Sequence, residues 1–200
     1  MRLILATHSE HKRRELERLL AHHEIALLPD AVRLPPEDGT TFAENASAKA
    51  RAAATATGEV AIADDSGIEA AALGGAPGVR SARYAGEHAS DEQNLAKLLR
   101  EAPAGSALAY VCALAYVDPM GGVERLFEER CTGRLAAAPR GSGGFGYDPA
   151  FLPDDCLPGG GEGGRESPQT MAELSDAQKD AISHRGRAAR ALEEWLLRRD

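Results

Sequence analysis

The residues best suited to chemistry are an acidic pair, Asp64-Asp65, followed at once by Ser66-Gly67 and preceded by the apolar run Val60-Ala-Ile-Ala63. Carboxylates at the end of a buried strand face the crevice in which open α/β sheets bind ligands. A hard cation such as Mg²⁺ needs few of them, because water and phosphate oxygens complete its shell. Asp-Ser-Gly is also good turn chemistry, so the pair alone does not decide between a turn and a metal site. Glu37, in the loop Pro35-Pro-Glu-Asp-Gly39, is a second candidate oxygen ligand, or else a solvated charge. Lys12 and Lys49 each follow an element able to face phosphate, although most helical lysines are merely solvated. Phe145 stands among glycines, where an aromatic ring can stack on a base or anchor a core. Each feature is weak singly; their joint occurrence calls for an explanation.

The elements around these residues can be read from pattern. Leu3-Ile-Leu-Ala6 is a short strand buried on both faces, and Thr7-His8-Ser9 leads into a helix from Glu10 to Leu20 with Ser9 as its N-cap. Strand, tight turn and helix N-terminus together aim free backbone N–H groups at an anion. Residues 30–41 read as a loop, and Phe42 to Thr57 as an Ala-rich helix stopped by Gly58. Val60 to Ala63 is a second apolar strand, which ends where the acidic pair begins. Ser90 with Gln93 caps a helix to about Arg100, and Ala107–Asp118 with Val123–Leu135 form a long hairpin. Arg140 to Pro149 is a glycine-rich loop, and the glycine-rich stretch from Pro153 to about Pro168 reads as a surface excursion. In one unbroken helix Lys179, His184 and Arg185 would point in widely different directions. Ser183 and Gly186 therefore predict a break near Ser183, followed by a last helix that buries Ala189, Leu192, Trp195 and Leu196.

Two hundred residues fit one globular domain, 1–200, with room for two lobes. A net charge of −8 argues against a protein that coats polymeric nucleic acid, which needs a broad basic field. A small anion remains possible where a few lysines and a metal converge. Three widely spaced cysteines (Cys112, Cys131 and Cys156) support neither a zinc site nor a disulfide framework. No apolar stretch approaches membrane-span length, and the first apolar run is too short for a signal peptide. These features predict a cytoplasmic protein with no membrane partner.

Seven fragments, in order along nearly the whole chain, resemble the Ham1/RdgB family of inosine triphosphate pyrophosphatases. They are Thr7-x-x-x-x-Lys12; Thr41-Phe-Ala-Glu-Asn-Ala46 with Lys49; Ala63-Asp-Asp-Ser-Gly67; Gly74-Gly-Ala-Pro-Gly78; Ser81-Ala-Arg-Tyr84; Gly143-Gly-Phe-Gly-Tyr-Asp-Pro149; and Lys179 with Ile182-Ser-His-Arg-Gly186. The resemblance implies a mixed, elongated α/β sheet with helices, two lobes flanking a central cleft, and a homodimer. It implies hydrolysis of ITP, dITP and XTP to the monophosphate and pyrophosphate with Mg²⁺. By the same resemblance Glu37 and Asp65 hold the metal, and Asp65 also takes the proton of the attacking water. Thr7, His8, Ser9, Glu10, His11 and Lys12 form the triphosphate-gripping loop, with Lys49 as a second phosphate contact and Ser66 as a further substrate contact. Phe145, Gly146, Tyr147 and Asp148 line the base pocket, with Phe145 stacked on the purine, while Lys179, His184 and Arg185 read the base from the other side.

The chain departs from the family pattern in having Ser9 where members usually carry Asn, and in a longer glycine-rich stretch from about Asp154 to Arg165, read as an inert loop rather than a lid. Two other functions fit the same residues: a pyrophosphatase for modified pyrimidine or methylated nucleotides, as in the similarly folded Maf group, and a nucleotide-binding module without turnover.

Overall fold

A computed structural model describes residues 1–156 and 168–199. Its elements run β1 (Arg2–Leu5), α1 (Glu10–Leu19), β2 (Glu24–Leu27), α2 (Phe42–Thr57), β3 (Ala61–Ala70), α3 (Asp91–Glu101), β4 (Ala107–Asp118), β5 (Val123–Leu135), β6 (Phe151–Pro153), α4 (Asp176–Ile182) and α5 (His184–Leu197), with short 3₁₀ turns between them. The class is mixed α/β: six strands form one sheet in the order β2-β1-β3-β4-β5-β6. β1 pairs in parallel with β2, Leu3 opposite Ile25, and with β3, Leu5 opposite Ile62. β5 and β6 pair antiparallel, with Gly133 opposite Pro153.

The chain divides into two compact units, each assembled from separated stretches. The first comprises Met1–Ser66, Cys112–Glu129 and Arg185–Asp200. Its core joins Leu3 and Leu5 of β1, Leu16 of α1, Ile62 of β3, Leu114 and Tyr116 of β4, and Ala188, Ala189 and Leu192 of α5. Trp195 packs edge-on to Tyr116 with ring centroids 5.0 Å apart. The second unit comprises Gly67–Val111 and Arg130–His184. Its core gathers Ile68, Leu95, Leu98, Tyr110, Leu135, Tyr147, Phe151, Met171 and Leu174. β3, β4 and β5 each pass from one unit to the other along their length.

Local chemistry explains the helix ends. Thr41 caps α2 by accepting from the Glu44 amide at 3.1 Å, while the Glu44 carboxylate accepts from the Thr41 amide at 3.2 Å. The two bonds satisfy donors that no helical carbonyl reaches. Gly58 ends the helix in the left-handed region at φ 69°, at little steric cost without a Cβ. Ser90 with Gln93 and Ser175 with Gln178 form equivalent boxes on α3 and α4. Ser183 is extended, at ψ 154°, and separates α4 from α5 as the spacing predicts.

The structure corrects the strand boundaries. Asp64 and Asp65 do not follow β3 but lie inside it, because β3 runs on to Ala70. Two acidic residues read as a strand end only while their charges lack partners, and here cations reach both. β2 and β6 were not anticipated from pattern: one is a half-buried four-residue strand opening on Glu24, the other three residues ending in a proline. Most of the glycine-rich stretch, residues 157–167, lies outside the described residues. No helix among the described residues is long and apolar enough to cross a membrane.

Candidate active site

In the first unit the turn after β1 is built from its own side chains. The Thr7 hydroxyl accepts from the Ser9 amide at 3.1 Å, and the Ser9 hydroxyl accepts from the Lys12 amide at 3.4 Å. Ser9 thus caps α1 in the way expected of it, and one helical turn on Lys12 places its Nζ 3.2 Å from Asp64 Oδ2. His8, Glu10 and His11 line the same turn and are exposed, with Glu10 held by Arg13 at 2.6 Å.

Asp64 is wholly buried and accepts much through one oxygen. Besides Lys12, its Oδ2 receives Arg185 Nη2 at 2.9 Å, Arg185 Nε at 3.3 Å and the Ser66 hydroxyl at 3.1 Å. The Arg185 guanidinium is itself buried; its Nη1 donates to Glu15 and its Nη2 to the Ser66 hydroxyl at 2.7 Å. Burial alone would raise the Asp64 carboxyl, but the Lys12, Arg185 and Lys49 charges outweigh it and hold the group well below the usual range. Arg185 is held protonated, its burial overcome by Asp64 and Glu15.

Its neighbour Asp65 behaves in the opposite way. Its Oδ2 accepts from Asn45 Nδ2 at 2.9 Å, and its Oδ1 lies 3.5 Å from Lys49 Nζ. Burial pushes its carboxyl up, the Lys49 and Lys12 charges only partly offset this, and Glu37 reinforces it. Lys49 is buried and reaches three acceptors: Glu37 Oε1 at 2.5 Å, the Asp64 carbonyl at 2.8 Å and Asp65 Oδ1. Burial would lower its ammonium, yet Asp65, Asp64 and Glu37 together raise it. Asn45 also accepts from the Gly39 amide at 2.9 Å, so one side chain ties the Glu37 loop to Asp65. Glu37 and Asp65, 28 positions apart in sequence, are thus joined through one ammonium.

Two adjacent carboxylates with pKa values driven apart are the usual preparation for distinct roles, one a fixed charge and the other a proton acceptor. The donor set also suits a hard divalent cation. Glu37 and Asp65 offer carboxylate oxygens, and Asp64 Oδ1 is buried without a hydrogen-bond partner among the described residues. Among those residues no group of three or more His, Cys, Asp or Glu forms a metal cluster. Mg²⁺ is characteristically held by one or two carboxylates and phosphate oxygens rather than by such a cage.

The second unit brings together most of the residues expected at the base. Asp148 is buried, and its Oδ2 accepts from Lys179 Nζ at 2.6 Å and from the Phe145 amide at 3.0 Å. The Lys179 ammonium stands 5.0 Å from the centre of the partly exposed Phe145 ring, within cation–π range. Gly146 donates its amide to Asp91 at 2.8 Å, and the Tyr147 hydroxyl donates to the Ser81 carbonyl at 2.7 Å. Gly144 makes this loop possible: its φ is 68°, and a Cβ there would meet Asp148 Oδ2 at 2.0 Å. His184 stacks on Tyr110, centroids 4.7 Å apart and planes 6° from parallel.

Arg185 is placed differently from the expectation that groups it with Lys179 and His184. Its guanidinium is committed to Asp64, Glu15 and Ser66 in the first unit, because α5 starts at His184 and successive residues point about 100° apart. Three polar residues escaped the sequence reading: Glu15, Asn45 and Tyr110. Glu15 carried a signal, since it lies three residues after Lys12 and beside Leu16 on the buried side of α1. Asn45 stood inside a quoted fragment without a role, and Tyr110 looked like any apolar strand residue.

Comparison with known proteins adds an independent line. The Ham1 family model matches residues 3–195. A dITP/XTP pyrophosphatase of Frankia alni is 47% identical over 98% of this chain and 97% of its own length. One of Mycolicibacterium paratuberculosis is 51% identical over 78% of this chain and 73% of its own. The solved Ham1 protein of Staphylococcus aureus superposes with a TM-score of 0.84 at 33% identity, covering 100% of each chain.

Proposed function

Because the chain belongs to the Ham1 family, we propose that it hydrolyses non-canonical purine nucleoside triphosphates (ITP, dITP and XTP) to the monophosphate and pyrophosphate. The observation that carries this reading is the charge arrangement of the first unit: Lys49 bridging Glu37 and Asp65, beside Lys12 and Arg185 on Asp64. Phosphoryl transfer asks a protein mainly for positioning and charge neutralisation.

Water attacks the α-phosphorus; a P–O bond forms to the water oxygen while the α–β bridging P–O bond breaks and pyrophosphate leaves. Asp65 takes the water proton, a task suited to a carboxyl raised by burial. Asp64 stays ionised and keeps Lys12 and Arg185 in place without competing for that proton. Lys12, Lys49, Ser66 and the amides of the Thr7–Lys12 turn neutralise the triphosphate, with His8, Glu10 and His11 at the rim of that turn. Glu37 and Asp65 would hold Mg²⁺, which supplies charge neutralisation on phosphate oxygens and a more acidic water.

The purine stacks on Phe145, with Gly146, Tyr147 and Asp148 along the loop and Lys179 and His184 beside it. Hypoxanthine and xanthine carry a 6-keto acceptor where adenine carries an amino donor. A buried donor–donor mismatch of that kind costs about 1–3 kcal/mol. The same reading includes the homodimer that the family resemblance implies and the cytoplasmic location expected from the sequence features; light scattering on the purified protein tests the first.

The test is pyrophosphate release from ITP, XTP, GTP and ATP, with Mg²⁺ and with a chelator. Release from ITP and XTP that stops on chelation and returns with Mg²⁺ is expected. Preferred cleavage of ATP, or no pyrophosphate from any of the four, overturns the reading.

A further inference from the structure

We infer that Tyr110 is a positioning residue for purine selectivity, acting by closing an acceptor on Asp148 that would otherwise welcome amino-bearing bases. The inference rests on the activity proposed above and on the base lying along the 145–148 loop. Tyr110, on β4, is buried and donates its hydroxyl to Asp148 Oδ1 at 2.9 Å. Oδ2 of the same carboxylate is occupied by Lys179 at 2.6 Å and the Phe145 amide at 3.0 Å. Three donors of the chain therefore share a carboxylate with about four acceptor sites.

The ring of Tyr110 is fixed as well. It stacks on His184 and tilts at 45° against Phe151, 4.6 Å between centroids. The hydroxyl is thus aimed by rigid packing rather than by a mobile side chain.

A carboxylate oxygen next to a purine is an acceptor, and carboxylates recognise exocyclic amino groups of bases by that property. Guanine differs from hypoxanthine only in its 2-amino group, and adenine carries a 6-amino group. An open Oδ1 would favour both over the keto-bearing purines. With the Tyr110 hydroxyl on it, one of that oxygen's two acceptor sites is taken, so an amino group brought to it meets a half-filled acceptor rather than an open one.

Tyr110→Phe removes the hydroxyl and keeps the ring on His184. In that variant the preference for ITP over GTP, measured as a ratio of kcat/KM, should fall about tenfold, the worth of one hydrogen bond to a charged group. The change should appear as a lower KM for GTP. In the double variant Tyr110→Phe/Asp148→Asn the ratio should recover. Lys179 and the Phe145 amide claim the amide oxygen, so the Nδ2 donor turns to where Oδ1 was and opposes an amino group. Tyr110→Met, which fills the space without a hydroxyl, carries the same expectation should the Phe variant not fold by thermal melting. An unchanged ratio in an active, folded variant overturns the inference, as does an equal loss for every nucleotide or a double variant without recovery. Wild-type protein that releases no pyrophosphate from ITP overturns the proposed activity and this inference together, and that result appears in the wild-type arm alone.

Discussion

Asp64 and Asp65 are neighbours in sequence and both buried, yet replacing each by asparagine should have opposite consequences. Asp64→Asn removes the charge that faces Lys12 at 3.2 Å and Arg185 at 2.9 Å. Removing one partner of a buried pair costs about 3–5 kcal/mol, because the other charge is left buried and uncompensated. Two features hold the cost near the lower end. Arg185 keeps Glu15, and the Lys12 side chain, 17% exposed, can swing its ammonium toward water. A loss of about 3 kcal/mol should lower Tm by about 6–12 °C in a chain of this size. Asp65→Asn should cost under about 1 kcal/mol, since the new amide oxygen can still accept from Asn45 and Lys49 keeps Glu37 and the Asp64 carbonyl. Turnover should nonetheless fall by about 10²–10⁴ with loss of the proton acceptor.

The pH dependence separates the two further. Asp64 has a lowered folded pKa, so its stabilisation is complete above the unfolded value of about 3.9 and is lost as pH falls below it. The stability gap between wild type and Asp64→Asn should therefore be widest at neutral pH and close in acid. The raised carboxyl of Asp65 works in reverse: its ionisation costs stability as pH rises through the folded pKa, so Asp65→Asn should fare best against wild type at neutral pH. Urea unfolding of the three proteins in chelator across pH, with pyrophosphate release measured separately with Mg²⁺, reads all of this. Equal stability losses for the two variants, or near-wild-type turnover in Asp65→Asn, would refute the division of labour.

Lys49→Met should raise the KM for ITP and move the acidic limb of the kcat profile to higher pH, because the chief cation that lowers the Asp65 pKa is gone; an unmoved limb counts against Asp65 as the base. Gly144→Ala forces a Cβ to within 2.0 Å of Asp148 Oδ2 at φ 68°, so it should cost at least about 1–2 kcal/mol in urea unfolding and weaken nucleotide binding measured by calorimetry. Thr41→Ala opens the capping box of α2 and should cost about 0.5–2 kcal/mol without changing the ITP-to-GTP ratio, because Thr41 is the N-cap of α2 and lies about two helical turns before Lys49.

Much of the fold was legible because it follows from short-range rules. The bounds of α2, β4 and β5 coincide with the pattern of caps, apolar runs and the Pro119-Met-Gly-Gly122 turn between the long strands. The break at Ser183 followed from helical geometry alone. β2 and β6 were not legible, for the same reason in reverse. Strands of four and three residues carry too few positions for a period, and what makes them strands is the register supplied by β1 and β5.

The site divides along the same line. Carboxylates, lysines and a loop aromatic can be named from sequence, since their types announce their chemistry. The family resemblance points to Asp65 as the proton acceptor, but residue types and spacing by themselves do not state which of two adjacent aspartates is the fixed charge, because that depends on residues brought from far along the chain. Glu15 and Arg185 are separated by 170 positions, and Arg185 and Asp64 by 121. Before they meet, Asp64 and Asp65 are equivalent acids in the same strand. Burial would raise the carboxyls of both, and the side on which Lys12 and Arg185 arrive lowers one of them. Strand alternation makes that side decisive: successive residues face opposite ways, so the cations that fix Asp64 leave Asp65 to Lys49, Asn45 and the proton it would accept.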